Sequence, residues 1–133
     1  MIPKFRARNK ATKEMHEADD IVSLNFEEKQ ICVKTLFFGQ LNYYDFDDIV
    51  LMQSTGLKDK NGKEIFEGDI VQYQNSKVPS ADSKGVIRYF DNWAMFGIDI
   101  EHNEPRALFF NGLADHISLE VVGNIYKNPE LIE

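Results

Sequence analysis

A single cysteine, Cys32, in a chain of 133 residues excludes an internal disulfide framework and any CxxC metal or redox motif. No stretch approaches the ~18 consecutive apolar residues that a membrane helix requires. The basic start runs into Thr12-Lys13-Glu14 and not into an apolar h-region, so a secretory signal is not expected either, and a cytoplasmic location is. The sequence has no GxGxxG or GxxxxGK[ST] cradle for phosphates, no GxSxG elbow for a nucleophilic serine and no HExxH pair for zinc. Basic charge is also scarce, with 15 Lys and Arg against 22 Asp and Glu and a formal net charge of −7. A body this acidic repels phosphate backbones at long range, which argues against non-specific binding of nucleic acid.

What is present is an ordinary globular mixture. Hydrophobic residues make up 43% and charged residues 28%, with eight Gly and four Pro, so disordered and collagen-like classes drop out. A chain of this length buries roughly two-thirds of its extended surface, enough for a core without staples. One domain is expected, with an irregular, β-rich N-terminal extension over residues 1–45 and a barrel-like body over 46–133. No internal repeat is visible.

The local patterns are those of short strands. Phe5-Arg6-Ala7-Arg8 alternates apolar and basic residues, the period-2 mark of a half-buried strand, and residues 9–13 are turn material. Residues 21–26 and 31–38 are rich in branched and aromatic side chains, and the polar break Glu27-Glu28-Lys29-Gln30 between them predicts a hairpin. A helix over 12–20 has too few apolar residues to form a stripe. Across Tyr43 to Met52 the reading stays open, with Asp45 placed to cap a short helical turn whose dipole favours Asp47 and Asp48. Asn61-Gly62, flanked by strand formers, predicts a type I′ hairpin turn with positive φ at both residues. Strands then follow at Ile65-Phe66 and 69–73, with Gly68 as a bend. Residues 74–84 read as a loop, 86–90 and 93–100 as a hairpin turning at Asp91-Asn92, and 101–105 as another loop. A short strand at 108–110, a turn at Asn111-Gly112 and a last strand over 117–126 complete the chain. Many short strands with turn chemistry between them predict a mainly β protein built as a small barrel or roll.

One run carries a resemblance. Gln53 to Val71, reading QSTGLKDKNGKEIFEGDIV, resembles the central signature of the YopX family of phage and prophage proteins. Phe5-Arg6-Ala7 and VGNIYKNPEL (residues 122–131) resemble the two ends of that family, so the likeness runs nearly end to end with a variable middle across 74–119. The chain departs from the family at Arg8, where an aromatic residue is common. The resemblance implies an SH3-like barrel or roll and a phage or prophage origin, and it assigns no activity and no functional residue. The motif itself is structural in character: Gly56 and Gly62 serve turns, Ile65, Ile70 and Val71 serve the core, and Gly68-Asp69 resembles a strand start at which the Asp accepts backbone hydrogen bonds.

Each constellation that could carry chemistry has a plainer account. Aligning Gly62 with the sixth position of a calcium loop puts Leu57 first and Gly68 twelfth, where acids belong, so that reading fails. Asp45, Asp47 and Asp48 are read as a capping, solvated turn, and His16, His102 and His116 as structural or surface residues. Asp115-His116 are neighbours whose side chains diverge on a strand. Cys32 lies within an apolar strand, where a thiol behaves as a small hydrophobe. Aromatic residues, 12% of the chain and including Tyr73, Tyr89 and Trp93, are expected mainly to fill the core. No catalytic residue, cofactor or metal is therefore expected.

The leading expectation is a non-enzymatic interaction protein, binding itself or a phage or host protein. The other reading is a nucleic-acid-associated regulator. It would use the local +5 of the first 13 residues, which leaves −12 for the rest, with polyanion contacts from Lys4, Arg6, Arg8, Lys10 and Lys13. The bland account of those charges is that they neutralise part of an acidic body.

Overall fold

The alternation at the N-terminus becomes β1 (Phe5–Asn9) of the computed structural model, which describes residues 2–35, 39–101, 104–108 and 115–132. The chain is mainly β, and twelve strands lie among those residues. It divides into two compact units, Met1–Gln53 and Ser54–Glu133. The boundary cuts β6 (Ile49–Lys58), later in the chain than the extension expected over 1–45.

In the first unit β1 pairs antiparallel with β2 (Met15–His16) on one side and with β6 on the other, in register from Phe5 opposite Gln53 to Asn9 opposite Ile49. The turn between β1 and β2 closes by Lys13 donating to the Asn9 carbonyl at 2.8 Å, and the Asn9 carboxamide accepts from the Ala11 and Thr12 amides. A separate sheet has the order β3-β4-β5, from β3 (Ile21–Asn25), β4 (Gln30–Lys34) and β5 (Leu41–Asp45). The hairpin predicted from the break at 27–30 is β3–β4, with a bulge between Ile21 and Ser23. Ala7, Ile31, Val33 and Ile49 form the core, with Ile21, Leu24, Tyr44, Phe46 and Leu51 packed against it. The ambiguous stretch resolves as β5, one 3-10 turn at Phe46–Asp48, and β6. Asp45 occupies the cap position, but its side chain makes no cap bond. It accepts from the Gln30 carboxamide across the strand pair at 3.3 Å.

In the second unit β8 (Asp69–Asn75), β9 (Ser83–Phe90), β10 (Met95–Glu101) and β11 (Glu104–Leu108) form an antiparallel meander. β12 (Ile117–Asn124) returns to the other side of β8, giving the order β11-β10-β9-β8-β12 in a sheet that curls as a half-barrel. Ile65, Val71, Tyr73, Ile87, Ile98 and Leu119 are its core, and Ile65 comes from β7 (Glu64–Phe66), which pairs with the second half of β6. The stretch expected as a loop over 101–105 already enters a strand at Glu104. Pro105 lies on β11, the last strand in the order, and edge strands are where Pro is found in sheets. The loop expected over 74–84 shrinks, since β8 runs to Asn75 and β9 starts at Ser83. The expectations at 36–38, 109–110 and Asn111-Gly112 lie outside the described residues.

The signature turn differs from the expected one. Gly62 has φ +83°, while Asn61 keeps a negative φ, so the turn is not type I′. Asp59 explains the difference. Its Oδ1 accepts from the Asn61 and Lys63 amides, both at 2.9 Å, while its carbonyl accepts from Gly62 at 3.0 Å. These bonds fold residues 59–62 as an Asx-type turn with one left-handed position, at the glycine. A Cβ at Gly62 would meet open space, so only backbone strain opposes substitution. Gly62→Val is expected to lower stability by about 1–2 kcal/mol, read as a fall in the urea midpoint with an unchanged m-value.

Candidate interaction surfaces

Among the described residues of the second unit, the hairpin of β9 and β10 gathers exposed aromatic side chains. Its sequence, Arg88-Tyr89-Phe90-Asp91-Asn92-Trp93-Ala94-Met95-Phe96, turns later than expected. Trp93 donates to the Phe90 carbonyl at 3.1 Å and Ala94, at φ +51°, donates to the Asp91 carbonyl at 3.3 Å, so Trp93 belongs to the turn and not to β10. Tyr89 and Phe96 face each other across the pair, edge to face with centroids 5.2 Å apart. Phe90 and Trp93 sit 6.3 Å apart on the turn. Trp93 is 49% exposed and Tyr89 42%. The expectation that aromatic residues fill the core therefore holds for Tyr73 and Phe66, and fails for these two. Below the tip, Arg88 Nε donates to Asp99 Oδ2 at 2.8 Å.

A second feature of that unit is a shallow cleft of about 360 Å3 between the loop after β8 and the start of β12. Asp82, Asp115 and half-buried His116 border it. The Asp82 carboxylate is committed to the Asn75 amide at 2.9 Å, and the His116 carbonyl to the Ser76 amide at the same distance. These bonds account for the loop's shape.

In the first unit the five N-terminal bases do not form a projecting arm. β1 is flanked by strands on both sides, Arg6 is buried at 5% exposure and Arg8 is half-buried. Lys10, on the following turn, donates to the Asp47 carbonyl at 2.7 Å, and Lys4 and Lys13 are exposed. The strand pattern at Phe5–Arg8 was the signal that this segment is built into a sheet.

Asp45, Asp47 and Asp48 are all exposed, and among the described residues no group of three or more His, Cys, Asp or Glu side chains is placed to hold a metal ion. His16 is buried with its ring stacked on Tyr44 at 5.8 Å, and its Nε2 has no hydrogen-bond partner. His102 lies outside the described residues. Cys32 is buried opposite Tyr43, and a side-chain hydrogen bond to the thiol, followed by the thiol's electrostatic effect, raises the pKa of that exposed phenol. No helix among the described residues is long and apolar enough to cross a membrane.

Comparison with known proteins gives the family and no activity. None of the curated proteins matches the chain. The crystal structure of protein EF1440 from Enterococcus faecalis is 33% identical, covers 100% of this chain and 99% of that one, and superposes with a TM-score of 0.64. Protein yopX from Bacillus subtilis, at 20% identity and 98% coverage of both chains, has the same fold with a TM-score of 0.67. The model of the family described as YopX protein matches residues 4–133, and the chain belongs to the YopX family.

Proposed function

We propose that this chain is a non-enzymatic interaction protein of phage or prophage origin, acting in the bacterial cytoplasm by docking on a protein partner through the β9–β10 hairpin tip. The observation that carries this reading is the clustering of Trp93, Tyr89, Phe90 and Phe96 on one hairpin with two of the rings about half exposed. Single exposed apolar residues are normal on any surface, but rigid aromatic groups gathered at a protrusion are the usual anchors of protein interfaces. The ring contacts Tyr89–Phe96 and Phe90–Trp93 restrict these side chains before docking, which lowers the entropy lost on association. The origin rests on the family resemblance.

Size-exclusion chromatography with light scattering, together with affinity capture from bacterial host lysate, tests the reading. The unaltered chain is expected to form a defined complex, with itself or with another protein. Tyr89→Ala with Trp93→Ala is expected to weaken that complex at least ~tenfold while leaving the melting temperature nearly unchanged. A strict monomer that retains nothing would refute the proposal, as would a double variant that associates like the parent.

A further inference from the structure

The edge of the β3-β4-β5 sheet presents a second surface, within the first unit. β3 is an edge strand among the described residues; it carries no Pro or Lys within Ile21–Asn25, and its one protective feature is the bulge between Ile21 and Ser23, at its first end. Its side chains do not deter pairing either, since Val22 stands 52% exposed and Phe26, just beyond the strand, 71%. Beside β3 runs a groove of about 300 Å3 lined by Pro3, Phe5, Ala18, Ile21 and Leu24, with Lys4 and Asp19 as its charged residues. Lys4 is already engaged in a contact of its own. A strand laid along β3 would place every second side chain against this apolar wall and the alternate ones on the side of Val22.

Charge selects the occupant. From Glu14 to Glu28 the chain holds six acids, three of them (Glu17, Asp19 and Asp20) just before β3 and two (Glu27 and Glu28) just after it. No Lys or Arg lies in that stretch. Acids at both ends of an open strand repel an acidic segment and favour one whose ends are basic, and two copies of this edge would oppose like charges.

We infer that β3 is a strand-addition site for an extended segment of a partner protein, with apolar residues at alternate positions and Lys or Arg at both ends. Backbone ladder bonds supply the affinity, the groove reads the apolar residues, and the acidic termini of β3 set the charge preference. This surface shares no residue with the aromatic hairpin, and either reading can fail without the other.

The test uses two fluorescein-labelled synthetic peptides and the full chain. One reads Lys-Lys-Val-Thr-Val-Ser-Val-Thr-Lys-Arg, and the other has Glu at its four basic positions. Fluorescence anisotropy is expected to show binding of the basic peptide that weakens several-fold between low and physiological salt, and binding of the acidic one at least ~tenfold weaker. Amide hydrogen exchange at residues 22–25 should slow when the basic peptide is added. Glu27→Lys with Glu28→Lys, both exposed turn positions, should cut affinity ~tenfold with no change in melting temperature.

Equal binding of the two peptides would overturn the inference. So would no binding of either, or binding without slower exchange in β3. Slowed exchange that grows with protein concentration in the absence of peptide would assign the edge to a second copy of the chain, and would equally overturn it.

Discussion

Asp59→Ala is expected to destabilise the second unit by about 2–3 kcal/mol, because one buried carboxylate organises two elements far apart in sequence. Its Oδ1 accepts from the amides of Asn61 and Lys63 inside the β6–β7 turn, and its Oδ2 accepts from the Val121 amide on β12 at 2.9 Å. The Lys60 amide, in the same turn, also donates to the Leu119 carbonyl at 2.9 Å. Alanine at 59 would leave three backbone donors without an acceptor, at a site where Asp59 is only 8% exposed. On a unit of this size the loss corresponds to a fall in melting temperature of roughly 10–20 °C. Asp59→Asn keeps one acceptor oxygen and gives up the charge, so about half the effect is expected.

The same carboxylate gives a pH dependence. Burial acts to raise its pKa, but the amides of Val121, Lys63 and Asn61, with the Lys63 charge behind them, hold it below the usual carboxylate value. The unfolded chain then binds this proton more readily than the folded one. The stabilisation is therefore complete above the ordinary carboxylate range near pH ~4, and is lost as pH falls through the depressed value. Urea unfolding at a series of pH values should show a shallower acid-side decline for Asp59→Asn than for the parent. Parallel declines would exclude this role for Asp59.

Gly85→Ala is expected to be about as damaging, for the opposite reason. Gly85 lies on β9, buried and opposite Val71 of β8. A Cβ there would collide with Ile98 Cγ2, and would come within 2.9 Å of Ile100 Cγ1 and 3.0 Å of the Asp99 carbonyl oxygen. The Ile98 side chain is fully buried in the core, and the Asp99 carbonyl belongs to a strand held on both sides by β9 and β11. Neither neighbour can retreat freely, so overpacking should cost about 1–3 kcal/mol for Ala and more for Val. If the collision is the cause, trimming the obstacle should help. Gly85→Ala combined with Ile98→Val is expected to be less destabilised than the two single effects added, as thermal melts of the four proteins would show. Simple additivity would mean that the cost of Ala at 85 lies elsewhere.

Both positions show what the sequence made legible. The Asn61-Gly62 pair announced a hairpin turn, and the turn is there. Its type was not readable, because it depends on Asp59, whose second oxygen serves a strand sixty-two residues away. Asp69 was legible in role as well as place: at 1% exposure it accepts from the Phe66 amide at 2.8 Å at the start of β8. Gly85 carried no local signal, since its need for a bare Cα comes from Ile98 and Ile100 on the neighbouring strand. The candidate surfaces followed the same division. Alternation placed Phe5–Arg8 in a strand, but only the flanking β2 and β6 decide that Arg6 is buried. Trp93 read as strand material because nothing local disclosed that Ala94 would take the left-handed conformation and bring it into the turn.

The place of β12 in its sheet bears on how the polypeptide matures. Its partner β8 ends at Asn75, whereas β12 begins only at Ile117, and the two pair along nearly their whole lengths. During synthesis β8 leaves the ribosome with one side bare until more than forty further residues have followed it. Closing so long a loop is slow, and a bare hydrophobic strand is the surface on which nascent chains stick to one another. Yield from rapid overexpression should therefore depend on chaperones and on growth temperature more steeply than the stability of the finished fold would suggest.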